Sequence, residues 1–231
     1  MKILHITNSS FGGAGLAALR LHHALVNEGV QSAYLSTNLC INYKNEVVKD
    51  DFFKYKKASI LKRVKTKLFT SINTKYVREL AKINPHLVCE IATLPFSNYK
   101  THLHTLVQQA DVINLHWVSG IIDYTSFFKN IDKPIVWTLH DMNPFQGLFH
   151  YKGDQLKNYV YTSDLDKEIR DIKSIAIKNI TKGAAIAPSK WLLEKASEEQ
   201  FFPQSQKICI PNSIDLDVFK LNDDVSLRKK Y

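Results

Sequence analysis

The 231-residue chain has only three cysteines, Cys40, Cys89 and Cys209, far apart and odd in number. They give neither a disulfide framework nor a zinc spacing, which fits a reducing compartment, and the expected location is the cytoplasm. No apolar run reaches the roughly 18 residues of a membrane-spanning helix. The opening MKILHITNSS lacks the apolar length of a secretory signal and reads as a first strand. No set of His, Cys, Asp and Glu has metal-ligand spacing, so no metal is expected. With eight glycines and seven prolines the sequence shows no low-complexity tract and no internal repeat. The formal charge of +9 is uneven, because acids are sparse between Lys44 and Lys82. No nucleic-acid-reading motif stands beside that charge, so nucleic acid is not an expected partner.

What is present is a 45% hydrophobic chain with alternating strand and helix signals. Residues 2–8 read as a strand and 14–28 as a helix with Leu16, Leu19, Ala24 and Leu25 on its apolar face. Gly29 is its C-cap candidate, and 30–37 is a second strand. This opening βαβ unit predicts an α/β fold: a Rossmann-like parallel sheet with helices on both faces. Further strands are expected at 111–117, 135–139, 184–187 and 207–210, and 87–92 reads as a short strand or an extended run. Helices are expected at 98–109, within 120–130, from a cap at Ser163 or Asp164 to about 181, and at 191–199 after a cap at Ser189. Residues 143–161 read as a long loop broken by Pro144, Gly147 and Gly153, of the kind that is often functional or mobile.

The segment 39–85 is the least regular. Residues 50–70 read as a helix with Ile60, Leu61, Val64 and Leu68 on one face and Lys62, Arg63, Lys65 and Lys67 around it. Such a basic amphipathic helix either lies on an anionic membrane surface or packs on the sheet as an ordinary surface helix.

Three strand ends carry polar or flexible residues, and ligands of open α/β sheets bind beyond the carboxyl ends of their strands. The first strand runs into Gly12-Gly13-Ala14-Gly15, where amides and a helix start favour an anion. The strand at 111–117 ends in His116-Trp117, and the one at 135–139 ends in His140-Asp141. Gly13-x-Gly15-x-x-Ala18 also matches a dinucleotide fingerprint, but Leu35-Ser36-Thr37-Asn38 lacks the acid that would hold the ribose. The paired histidines His22-His23, and His102 and His104, are expected on solvent-facing helix positions.

SSFGGAGLAALRLHHAL, ADVINLHWVSG, KPIVWTLHDMNPFQG, IAPSKWLLEKA and IPNSIDLDVF follow one another in a recognisable order. With that order and spacing the chain resembles the N-terminal half of retaining family-4-type glycosyltransferases of GT-B fold. It is most similar to the bacterial branch that builds capsule, exopolysaccharide or lipopolysaccharide chains. WTLHD and PSKW are the most specific blocks, and the likeness is weakest over 39–85.

The resemblance implies an N-terminal Rossmann-like domain over 1–212 and a hinge or linker over 213–231. That linker would lead towards a separate donor-binding domain. It implies a nucleotide-sugar co-substrate, with no other cofactor, and a saccharide or lipid-linked acceptor. It places Gly12 and Gly13 beside the donor diphosphate, and gives His140 the transferred sugar and Asp141 the support of the loop. His116, Trp117, Ser189 and Lys190 would line the acceptor-side cleft. Peripheral contact with the inner face of the plasma membrane would fall to Lys62, Arg63, Lys65 and Lys67.

Departures from the pattern are Ser213 in place of the hinge glycine and QGLFHY in place of a cysteine-bearing loop. The family's paired glutamates of the donor side are also missing. The isolated chain is therefore expected to have little or no activity. Two alternatives remain: a non-catalytic binding remnant of such an enzyme, and a dinucleotide-binding oxidoreductase fragment.

Overall fold

The computed structural model describes residues 1–38, 52–54, 71–201, 206–214, 216 and 219. Seven strands form one sheet: β1 (Lys2–Ser9), β2 (Gln31–Asn38), β3 (Phe52–Lys54), β4 (Val112–Leu115), β5 (Ile135–Thr138), β6 (Gly183–Ala187) and β7 (Gln206–Cys209). Their spatial order is β3-β2-β1-β4-β5-β6-β7, and every pairing is parallel. The expected α/β, Rossmann-like parallel sheet is therefore what the chain forms. The order runs outward from β1 in both directions, so the switch point of the sheet lies between β1 and β4. Backbone bonds close the strand ends there: Asn8 N donates to Trp117 O at 2.8 Å and His116 N to Ile6 O at 3.0 Å.

The helices are α1 (Gly12–Asn27), α2 (Ser71–Ile83), α3 (Thr105–Gln109), α4 (Tyr124–Asn130), α5 (Lys152–Ile177) and α6 (Lys190–Glu198). The buried face of α1 is Gly15, Ala18, Leu19 and His22, the i, i+3, i+4, i+7 spacing of a helix laid on a sheet. Ala24, expected on that face, is exposed. The helix starts two residues earlier than expected, so Gly12 and Gly13 belong to its first turn. Gly29, with φ +76°, ends it as expected. Under β5 the core is aromatic: Trp137, wholly buried, sits 5.6 Å from the ring of Phe128 and 5.5 Å from that of Phe201. Each such side chain contributes about 1.5–3 kcal/mol through burial.

Several expectations are corrected. Phe52–Lys54 is a strand paired with β2 rather than part of a helix over 50–70. The remainder of that segment, with Lys62, Arg63, Lys65 and Lys67, lies outside the described residues, as does Cys40. Of the two readings of 87–92, a short strand or an extended run, the strand does not form, and Ala92 makes a single bridge to Phe149. The helix expected over 98–109 is split: a short 3-10 turn at Thr101–Leu103 stops before His104, whose ring accepts from Leu106 N and caps α3. His22 faces the core, not solvent, with Nδ1 2.8 Å from Ser32 Oγ.

The largest correction concerns 143–161. The loop ends at Tyr151, and α5 runs for 26 residues straight through Ser163 and Asp164, which cap nothing. Its first half turns polar side chains inward. Asp154 Oδ2 accepts from Glu90 N at 3.0 Å, while Asn158 accepts from Val88 N and donates to Val88 O. The helix is thus held by bonds to the backbone of 88–90, which no apolar periodicity reveals. The loop itself is not mobile surface: residues 142–150 are buried throughout.

Candidate functional site

At the carboxyl edge of the sheet, β5 delivers His140 and Asp141, β4 delivers His116 and Trp117, and β1 delivers the turn into α1. His116 Nδ1 lies 3.1 Å from His140 Nε2, and their rings are stacked at 5.4 Å. Burial pushes His140 down to about 4, against the pull of the neighbouring Asp141 carboxylate. His116 lies well below its ordinary value, first through burial and then through the rings of His5 and His140. Both rings are therefore neutral at physiological pH. A neutral imidazole here can form hydrogen bonds to a polar ligand but carries no charge to offset an anion.

Asp141 is wholly committed to the protein. Its Oδ1 accepts from Asn143 N at 2.9 Å, and its Oδ2 accepts from His150 Nδ1 at 2.6 Å and Trp117 Nε1 at 3.1 Å. Because a carboxylate only accepts, His150 Nδ1 holds the proton, and the indole N–H, also 3.3 Å from that nitrogen, bonds to the carboxylate instead. Asp141 is therefore the anchor of the buried loop, while the His140 ring is held by His116. Trp117 is tied by its N–H and packs with its ring 5.5 Å from that of His150 at a tilt of 32°, which makes it a wall rather than a free platform.

Beyond His150 the network continues through Thr93 Oγ1, 3.0 Å from Nε2, to Ser119 Oγ, 3.1 Å further. The order hydroxyl, imidazole, carboxylate is that of a hydrolytic triad. However, the Thr93 amide already donates to Leu148 O, and His150 is buried at 1% exposure. The chain of bonds fixes the loop against the 93–97 segment.

Lys173 on α5 secures the same loop from the other side. Its Nζ donates to Asn143 O at 2.8 Å and to Gly147 O at 2.6 Å and lies over the Tyr124 ring. Burial lowers it to about 7, with Asp141 and Asp166 pulling the other way. Gly147 is required: a Cβ there would fall 2.2 Å from Asp166 O.

The glycines after β1 differ in kind. Gly12 has φ +70°, a conformation that favours glycine. A Cβ on Gly13 would meet nothing within 4 Å, whereas one on Gly15 would fall 2.4 Å from Ser9 O. Gly15 serves helix–strand packing; Gly13 leaves open space in the first turn of α1. Among the described residues no side chain caps that turn: the N-cap position, Phe11, makes no side-chain cap bond and is exposed.

His116, Trp117, Ser119, Tyr124, His140 and Asp141 bound a small cavity of about 10 Å³. That volume admits about one water, so a sugar-sized ligand would lie over its rim. Ser189 and Lys190 stand exposed at the end of β6 and do not line it. Ser189 instead caps α6, its Oγ accepting from Leu192 N at 3.2 Å. A larger groove of about 330 Å³ between α2 and α5, with Glu79, Lys82, Tyr161 and Glu168 in its walls, holds none of the expected site residues.

Compared with known proteins, the chain matches no protein-family model and no curated protein. The site must therefore be read from its own chemistry. Sequence reasoning missed His5, Thr93, His150 and Lys173. His5 hides inside the apolar run of β1, and Lys173 reads as a solvated helix position. Only His150 carried a usable signal, as the polar residue closing the apolar stretch that follows the His-Asp pair. No helix among the described residues is long and apolar enough to cross a membrane.

Proposed function

We propose that this chain is the acceptor-side half of a retaining glycosyltransferase. In this reading it helps transfer a sugar from a nucleotide-sugar to a growing cell-surface polysaccharide or lipid-linked acceptor. The observation that carries the reading is the juxtaposition at the switch point of the sheet. A neutral histidine held by His116 and followed directly by the Asp141 loop anchor closes β5, and beyond β4 the end of β1 carries a glycine turn without an N-cap side-chain bond. Free first-turn amides suit a diphosphate, and neutral ring nitrogens suit hydroxyls.

In this reading His140 binds the transferred sugar, Gly12 and Gly13 leave room for the diphosphate, and Asp141 holds the loop without touching substrate. Ser189 and Lys190 lie on the acceptor side, one strand beyond. The protein contributes positioning and stabilisation of the leaving diphosphate rather than a nucleophile. In this reading the sugar donor is held chiefly by a donor-side domain that faces this sheet. The residues Lys62, Arg63, Lys65 and Lys67 would bring the enzyme to an anionic membrane surface.

The test is calorimetric titration of the chain with a water-soluble lipid-diphosphate saccharide, with nucleotide-sugars and with NADH. Saccharide binding that His140→Ala weakens at least tenfold is expected. NADH binding without saccharide binding would replace this reading with the oxidoreductase one, which the missing acid after β2 disfavours.

A further inference from the structure

His5 lies in the middle of β1 without solvent exposure. Its Nδ1 is 3.1 Å from His116 Nε2, and His116 Nδ1 is 3.1 Å from His140 Nε2. The rings of each pair are 5.4 Å apart, so three imidazoles stand in file from the sheet interior to its carboxyl edge. A neutral imidazole has one N–H and one lone pair. In each contact one nitrogen donates and the other accepts, so the direction of one bond fixes the tautomer of all three rings. Burial keeps His5 at about 3, and His116 and His140 are lowered as well, so no ring in the file holds a second proton near neutral pH.

Two files are possible, and their ends differ. His5 Nε2 is buried and has no hydrogen-bond partner among the described residues. If the bonds run inward from His140, that nitrogen is a buried N–H with no acceptor. If they run outward from His5, it is only an unused lone pair. Orphaned buried N–H groups are rarer in proteins than under-satisfied acceptors. The outward file also ends in an N–H at His140 Nδ1, on the rim, where water or a ligand can accept it.

We propose that His5 and His116 are positioning residues that set the tautomer of His140, holding it with Nδ1 protonated so that it presents a hydrogen-bond donor to the ligand. The group recognised there is an acceptor, a hydroxyl or phosphate oxygen. With Nε2 engaged by His116, the ring offers no lone pair to a metal cation or an ammonium group. The tautomer follows whether or not the chain transfers sugar; a sugar hydroxyl as the acceptor rests on the glycosyltransferase reading.

The experiment is long-range ¹H–¹⁵N correlation of the imidazole rings in the uniformly labelled 231-residue chain without ligand, with His140 assigned from the His140→Gln spectrum. Pyrrole-type Nδ1 and pyridine-type Nε2 at both His140 and His116 are expected. A pyrrole-type Nε2 at His140 would overturn the proposal. In His5→Phe, with the amide spectrum retained, His140 should shift towards the Nε2–H form, because the donor that polarised the file is gone; an unchanged Nδ1–H ring would remove His5 from the role. The wild-type spectrum decides the tautomer even where that variant does not fold. Because no substrate is present, an Nδ1–H ring in a chain that binds no saccharide would reject the function and keep this inference.

Discussion

Asp141 Oδ2 and His150 Nδ1, nine residues apart at the two ends of a buried loop, meet at 2.6 Å. The same carboxylate receives Trp117 Nε1 from just beyond β4 and Asn143 N from the loop. Asp141→Asn would leave a single carbonyl oxygen to serve three donors and turn an amide group against one of them. The expected cost is about 2–3 kcal/mol, the penalty of an unsatisfied buried donor beside a lost charge-assisted bond. Urea unfolding checks it. A loss under about 0.5 kcal/mol, within the range of ordinary surface substitutions, would mean that Asp141 does not anchor the loop.

Lys173→Met keeps the aliphatic stem but strands Asn143 O and Gly147 O. A loss of about 2–3 kcal/mol is expected, together with faster hydrogen exchange at residues 143–149 and a weakened His140 site. Hydrogen exchange separates this from general destabilisation, since α1 and β2 should keep their relative protection.

The histidines and Lys173 make stability rise with pH. His5, His22 and His140 are lowered by burial to about 3, about 4 and about 4. Unfolded histidines take up protons below about 6.5. The stability they confer is therefore complete above that pH and is lost as the pH falls towards their folded values, by about 1.4 kcal/mol per unit for each ring. Lys173, lowered to about 7, works on the alkaline side: stability grows from pH 7 towards 10.5 as the folded lysine sheds its proton and the unfolded one keeps it. The urea midpoint should climb from pH 4 to 9, and Lys173→Met should flatten the part above pH 7. A midpoint level from pH 4 to 6.5 would show that the buried rings are not held neutral.

The glycines separate packing from binding. Gly15→Ala drives a Cβ into the Ser9 carbonyl and should cost about 3 kcal/mol or fail to fold. Gly13→Ala meets nothing and should leave stability unchanged or raise it by up to about 1 kcal/mol. Its methyl group would occupy the open space at the first turn of α1, so nucleotide-sugar affinity should fall in a chain that melts normally.

Much of the frame was legible in the sequence because apolar runs with Gly and Asn punctuation announce buried parallel strands. β1, β2, β5 and β6 lie within a residue or two of expectation. The strand-end pairs His116-Trp117 and His140-Asp141 were found for the same reason, since polar residues closing an apolar run mark a sheet edge. What the pattern hid follows from polar groups turned inward. The first half of α5 buries Asp154, Asn158 and Thr162 and is held by the first two, so its buried face looks solvated. His5 and Lys173 are satisfied or constrained only by residues distant in the chain, and local periodicity carries no trace of such partners.

The most direct measurement is the amide and imidazole shift map of the labelled chain titrated with a nucleotide-sugar and with a lipid-diphosphate saccharide. Saturable shifts gathered at Phe11 to Gly13, His116 and His140 are expected, with the groove between α2 and α5 unmoved. Shifts gathered in that groove, or none at the strand ends at millimolar ligand, would contradict the placement of the site and the glycosyltransferase reading with it.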